Sequence, residues 1–244
     1  RIEEGRLQDR GREGDLVGQR VVIGVHRLRG HRPQRAIDRL GEARELQLVL
    51  EFAPVITAME TRARQAAEES AQPDQQAKPR VEEVLSKAAA EELPGGPAYE
   101  LCAALAREHK VFIHAGSILE KIPGEERLYN TSVAFNRDGE EVARYRKIPM
   151  FDITAPDGAK YHESAAFKPG DSVVTYDVDG LKVGCAICYD LRFSYLFQAL
   201  AEKKADIIAL PAAFTLVTGK DHWEVLCRAR AIEMQAYVCA PAQT

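Results

Sequence analysis

From Pro94 onward the chain is a succession of short apolar runs separated by turn residues, and that alternation points to a layered α/β domain. Pro94-Gly95-Gly96-Pro97 interrupts the chain, and behind it residues 99–109 carry Leu101, Leu105 and Ala106 at helical spacing. Residues 111–117 and 130–135 read as strands, and Asn136-Arg137-Asp138-Gly139 as the turn into a third strand through Val142 and Tyr145. Residues 172–178 alternate as a strand, Asp179-Gly180 makes a tight turn, and residues 181–187 form the continuous apolar run of a strand buried on both faces. A helix through Leu196 and Leu200 follows, then a short strand at 207–210 stopped by Pro211, a helix over 221–234 and a last strand at 237–240. The sequence contains no internal repeat.

Composition divides the chain. Of 17 aromatic residues only Phe52 precedes Tyr99, no lysine precedes Lys78, and 11 of 22 arginines lie in residues 1–50. Those arginines are interleaved with Glu3, Glu4, Asp9, Glu13 and Asp15, which describes a solvated face or loose tail better than a basic arm. Residues 60–90 are rich in Gln, Glu and Ala, contain Pro73 and Pro79, and read as a polar excursion with short helices at most. A net charge of −4 argues against a nucleic-acid binder. The longest apolar runs fall short of the ~18 residues of a membrane span, and the N-terminus lacks the apolar block of a signal peptide. Five cysteines in mostly apolar segments suit reduced thiols in the cytoplasm.

The chemistry concentrates in Gly184-Cys185-Ala186-Ile187-Cys188-Tyr189-Asp190-Leu191-Arg192-Phe193, where a thiol sits at the junction of a buried strand and a helix. At such a junction helix-start N–H groups lower a thiol pKa, and the N–H of Tyr189 is placed to hold an oxyanion. On its residues alone Cys188 reads equally as a buried apolar side chain. Cys185-x-x-Cys188 has redox spacing, but Cys185 lies inside the strand; a zinc site lacks a second cysteine pair. None of the six histidines stands in a motif that marks a base, and His222, beside Trp223 at a helix start, reads as a capping or packing residue. Lys147 lies where a strand stops, either at a sheet rim or in a solvated loop, and Glu163 falls in a loop before Pro169-Gly170-Asp171.

Together these segments resemble the nitrilase superfamily of carbon-nitrogen hydrolases, in its amidase branch that includes omega-amidase. The resemblance is carried by Gly116-Ser117-Ile118, Leu128-Tyr129-Asn130-Thr131, Tyr145-Arg146-Lys147-Ile148, Glu163-Ser164, Cys188-Tyr189-Asp190-Leu191-Arg192-Phe193, Pro211-Ala212-Ala213-Phe214, His222-Trp223-Glu224 and Arg228-Ala229-Arg230-Ala231-Ile232-Glu233, in the family's order. It implies an α-β-β-α sandwich over 1–244 as a single domain, recognisable over 94–244, divergent over 1–93, and incomplete at its C-terminus. It also implies a Glu-Lys-Cys triad, with Cys188 as nucleophile, Lys147 as the lysine and Glu163 as a second glutamate. The first glutamate is placed at Glu51, in Leu50-Glu51-Phe52-Ala53-Pro54, where the family's preceding proline is missing. Ser194-Tyr195 stands where the family usually has Pro-Glu.

The function so implied is hydrolysis of a small amide through a cysteine acyl-thioester with release of ammonia. Lys147 and the Tyr189 N–H would hold the oxyanion, and Arg192, Phe214 and His222 would contact substrate, with Arg228 and Arg230 as further cations for a carboxylate-bearing amide. The alternatives are a catalytically inactive scaffold or fragment, and nitrile hydrolysis by the same triad. The expected partners are the small amide and further copies of the chain in a homodimer or higher homo-oligomer, without nucleic acid, membrane, metal or cofactor.

Overall fold

The computed structural model describes residues 20–24, 48–49, 87, 89–154, 158 and 160–242. In chain order its elements are β1 (Arg20–Gly24), β2 (Leu48–Val49), α1 (Pro97–His109), β3 (Phe112–Lys121), β4 (Leu128–Phe135), β5 (Glu141–Arg146), β6 (Asp152–Thr154) and β7 (Lys160–His162). There follow α2 (Glu163–Ala166), β8 (Thr175–Val178), β9 (Leu181–Cys185), a 3-10 turn (Cys188–Arg192), α3 (Ser194–Glu202), β10 (Ile207–Ala209), α4 (Leu216–Met234) and β11 (Tyr237–Ala242). One sheet has the order β1-β11-β10-β9-β8, the second β2-β3-β4-β5, and β6 pairs with β7 in a small ribbon. In the larger sheet β9, β10 and β11 run parallel, with β8 and β1 antiparallel at the edges.

Helix α1 covers the smaller sheet through Ala98, Cys102 and Ala106, spaced four apart, against Ile113, Ala115, Val133 and Phe135. The helix begins where Glu91, itself buried, accepts the Ala98 N–H at 2.9 and 3.1 Å and the Tyr99 N–H at 3.3 Å, filling the donors that a helix start leaves over. Strand β3 runs past residue 117, the end that alternation predicts, because its register shifts between Ala115 and Ser117. That bulge changes the parity, so Ile113 and Ala115 before it and Ile118 after it all belong to the cluster beneath α1. The β4–β5 turn needs Gly139, whose φ is +74° and where a Cβ would lie 2.4 Å from the Ala103 carbonyl of α1.

On the larger sheet α3 packs against β9 so closely that a Cβ at Gly184 would meet Leu200 at 2.9 Å. The inner faces of the two sheets join through Ala134, Ala143 and Tyr145 of β4 and β5 and Tyr176, Val178, Leu181 and Val183 of β8 and β9. Two helix layers outside two sheets make the α-β-β-α sandwich. Helix α4 starts at Leu216, five residues before the predicted start at 221, so His222 lies within the helix and not at its beginning. No helix among the described residues is long and apolar enough to cross a membrane.

His114 of β3 is enclosed between the sheets, its Nδ1 3.1 Å from the Tyr176 hydroxyl and its Nε2 without a partner. Burial pushes its pKa down to about 4, so the fold accepts only the neutral ring. The corresponding stability is complete above the unfolded value near ~6.5 and is lost as pH falls from there through the folded value. A chemical-denaturation series from pH 7.5 to 4 should show a loss on the order of 3 kcal/mol beyond that of a His114→Gln protein, and parallel curves for the two would exclude His114 as the cause.

Candidate active site

Lys147 follows directly on β5. Its N–H continues the ladder to the Asn130 carbonyl at 2.8 Å and its own carbonyl takes the Gly170 N–H at 2.8 Å, so the backbone that could have been a solvated loop is held to the sheet. The residue is 3% exposed, and an ammonium so buried is tolerable only when paired. Glu163 is the partner, with its two carboxylate oxygens 2.7 and 2.6 Å from Nζ. Phe151 donates its N–H to the same carboxylate. Glu163 comes from the first position of α2 and not, as the sequence suggests, from a loop. The β6–β7 ribbon delivers it, through Glu163 N–H to the Phe151 carbonyl at 3.4 Å and Ser164 N–H to Asp152 Oδ1 at 3.0 Å.

Past the end of β9 the chain stays extended to Ile187, then enters the 3-10 turn at Cys188 with φ +46°. A left-handed backbone at a non-glycine residue costs on the order of 1–3 kcal/mol and persists only where its surroundings hold it. Here the Cys188 N–H donates to the Pro211 carbonyl at 2.9 Å, the Asp190 N–H to the Ile187 carbonyl at 3.0 Å, and the Ile187 N–H to Asp190 Oδ2 at 2.7 Å. The thiol lies 3.7 Å from the Ala213 carbonyl oxygen. Because the first bond of the turn is made by Asp190, the Tyr189 N–H ahead of it is not used by the turn.

The structure corrects the expected electrostatics of the thiol. A five-residue turn replaces the helix start, and burial pushes the Cys188 thiol above its ordinary range; the Lys147 ammonium pulls it down, while Glu163 and Asp190 add to the rise. The resting group is therefore the thiol, and its conversion to a nucleophile needs a base. Glu51, expected in that role, lies outside the described residues. The redox alternative loses its second member: Cys185 belongs to the core and burial pushes its thiol up to about 12. Among the described residues no group of three or more His, Cys, Asp and Glu side chains could hold a metal ion.

Arg192, Phe214 and His222 come together as one cluster. The guanidinium of Arg192 lies 4.9 Å over the Phe214 ring and 6.0 Å from that of Tyr189, and its Nη1 is 3.2 Å from His222 Nδ1. Phe214 also packs on Trp223 at 5.0 Å. The other two arginines are paired with acidic residues of their own helix. Arg228 pairs with exposed Glu224 at 2.7 Å, and Arg230 is buried, bonding the Leu191 carbonyl at 3.1 Å and Glu233 at 2.7 Å.

Two buried residues beside Cys188 are not apparent from motif spacing, Asp190 and Tyr145, whose hydroxyl donates to Asp190 Oδ2 at 2.6 Å. A partial signal exists, since an acid three residues after the last extended position reaches back to cap it, as Asp190 does to Ile187. The reach of Tyr145 across 45 residues has no local signature.

A sandwich of two sheets with a strained, half-buried cysteine next to an enclosed lysine-glutamate pair defines a narrow class of α/β protein. The chain belongs to the carbon-nitrogen hydrolase family, whose model matches residues 58–244, a match that begins upstream of Pro94 and contains the motifs that follow it. It is 42% identical to the human omega-amidase NIT2 over 149 residues, covering 61% of this chain and 53% of the relative. It is 45% identical to the deaminated glutathione amidase of Synechocystis over 143 residues, covering 57% of this chain and 53% of that one. Among solved structures it resembles Saccharomyces cerevisiae Nit3, a member of branch 10 of the nitrilase superfamily, with a TM-score of 0.56 and 35% identity over 65% of this chain and 55% of that chain. The chain thus spans about half the length of the curated relatives it matches.

Removing one member of the Lys147–Glu163 pair should leave an uncompensated buried charge at a cost of about 3–5 kcal/mol, whereas exposed pairs such as Arg228–Glu224 contribute less than ~1 kcal/mol. Urea denaturation should therefore show a large loss for Glu163→Leu, most of it recovered in the double variant Lys147→Met/Glu163→Leu; no recovery would mean that the pair is not what stabilises either residue.

Proposed function

We propose that this protein hydrolyses the carbon-nitrogen bond of a small amide and releases ammonia, with Cys188 as the nucleophile. The observation that carries the proposal is the enclosed Lys147–Glu163 pair beside a cysteine held in a left-handed turn. A paired lysine keeps its charge in a buried site, where it is worth most to a developing oxyanion, and the turn presents the thiol next to an N–H that its own bonds leave over. The names of the amidase relatives support the same bond type.

In this mechanism Glu51 takes the thiol proton and Cys188 Sγ adds to the amide carbonyl carbon. Lys147 Nζ and the Tyr189 N–H hold the resulting oxyanion. The glutamate returns the proton to the amide nitrogen, the C–N bond breaks, ammonia leaves, and an acyl-thioester remains. Water, deprotonated by the same glutamate, adds to the thioester carbonyl; the C–S bond breaks, the glutamate returns the proton to the leaving sulfur, and the carboxylic acid is released. Glu163 orients the ammonium. Arg192, supported by His222 and Phe214, is the cation for a carboxylate on the substrate.

Ammonia release from a small 2-oxo-acid omega-amide is the direct assay. Cys188→Ala should abolish it, and Lys147→Ala should lower kcat by at least ~10²–10³, the usual loss for one oxyanion donor. An unchanged rate in Cys188→Ala would overturn the mechanism. For an inactive scaffold, Cys188 would alkylate as slowly as Cys102, Cys185, Cys227 and Cys239 instead of ahead of all four.

A further inference from the structure

Asp190 is fully enclosed, yet neither lysine nor arginine hydrogen-bonds to it. One oxygen, Oδ2, takes both of its bonds, from the Tyr145 hydroxyl at 2.6 Å and the Ile187 N–H at 2.7 Å, and Oδ1 is buried without a partner. The two donors belong to different parts of the sandwich. Ile187 immediately precedes the strained cysteine at the end of the β9 segment. Tyr145, also fully buried, is on β5 two residues before Lys147, on the inner face of the smaller sheet. A single carboxylate oxygen therefore bridges the turn that carries the thiol and the strand that carries the ammonium.

Resting on the assignment of Cys188 as nucleophile, we infer that Asp190 is a positioning residue of the active site, fixing the turn of Cys188 to Tyr145 so that the thiol and the Lys147 ammonium keep one register. The left-handed backbone at Cys188 needs to be held, and besides the Cys188 N–H bond to Pro211 the Asp190 carboxylate supplies a tie from the turn to the smaller sheet. Asparagine would offer an oxygen to the same two donors without a buried charge, so a purely structural tie does not call for aspartate. The charge is felt at the site. Burial pushes the Asp190 carboxyl up to about 7, against the bonds from Tyr145 and Ile187 and the attraction of Lys147 that favour its ionised form, with Glu163 adding to the rise. The groups that act on it are Tyr145 and Lys147 from β5 and its end and Glu163 from α2, Cys188 of its own turn feels its charge, and Arg230 of α4 bonds the carbonyl of the next residue, Leu191. As Asp190 ionises it holds the thiol proton more tightly, so the reactivity of Cys188 should bend near neutral pH.

The test compares the full-length parent with Asp190→Asn and with Tyr145→Phe, which removes one hydroxyl from the bridge. Ammonia release is measured together with the rate of iodoacetamide labelling at Cys188 from pH 5.5 to 9. The expected result for Asp190→Asn is a fall in kcat of about 10- to 100-fold with KM within threefold, as for a misplaced reacting group, and loss of a bend near pH 7 that the parent shows in its labelling rate. Tyr145→Phe should fall in the same direction by less, and serves as the readout if Asp190→Asn does not fold. Retention of kcat within twofold in whichever variant folds, or of the bend in Asp190→Asn, overturns the inference, as does a parent profile with no bend. A parent that releases no ammonia but shows the bend, lost in Asp190→Asn, upholds the positioning role while refuting amide hydrolysis. An active parent matched by Asp190→Asn does the reverse.

Discussion

A lysine ammonium that is 3% exposed cannot stand in a protein core alone, and much of the site is arranged around that requirement. Lys147 is brought inward because β5 continues its ladder one residue beyond the strand, to Asn130. The compensating carboxylate must then come from elsewhere, and the β6–β7 ribbon and the short helix α2 supply it as Glu163. The ring of Phe151, next to the N–H that holds this carboxylate, packs 4.8 Å from that of Tyr189, so the ribbon that delivers the glutamate also rests on the turn that carries Cys188.

The thiol meets the opposite demand. Its enclosure favours the neutral form, and the ammonium only partly offsets that preference, so a resting thiolate is not the device the site uses. In the proposed mechanism a base would convert this thiol to the nucleophile, and the charge then formed on the substrate oxygen would find a cation already in place. Both sheets take part, β9 leading to the cysteine and β5 to the lysine, and the Tyr145–Asp190 bond joins them at 2.6 Å. The geometry of the candidate site and the packing of the sandwich are in this sense one problem.

Local patterns carried the fold well. The apolar run over 181–187 and the helical spacing after Pro97 correspond to β9 and α1, and the Asp179-Gly180 turn to two residues at positive φ between β8 and β9. What alternation could not show is where it breaks. The bulge after Ala115 reverses the parity of β3 and hides its second half, and β6 and β7, three residues each and mostly exposed, carry no apolar signature. At the site the motif blocks singled out Lys147, Glu163 and Cys188 as candidates, and the structure joins the first two directly and lets their charges act on the third. Partnership was harder to read: whether Lys147 was solvated or enclosed depended on a residue 16 positions away, and Arg228 and Arg230 resemble Arg192 until their acidic neighbours are seen.

The central claim is that Cys188 carries the acyl group. Protein mixed with excess small amide, quenched in acid within a turnover and digested, should yield a Cys188 peptide heavier by the amide's mass less ammonia, and hydroxylamine should remove that increment. Steady ammonia release with no such increment on Cys188, or with the increment on Cys102, Cys185, Cys227 or Cys239, would contradict it.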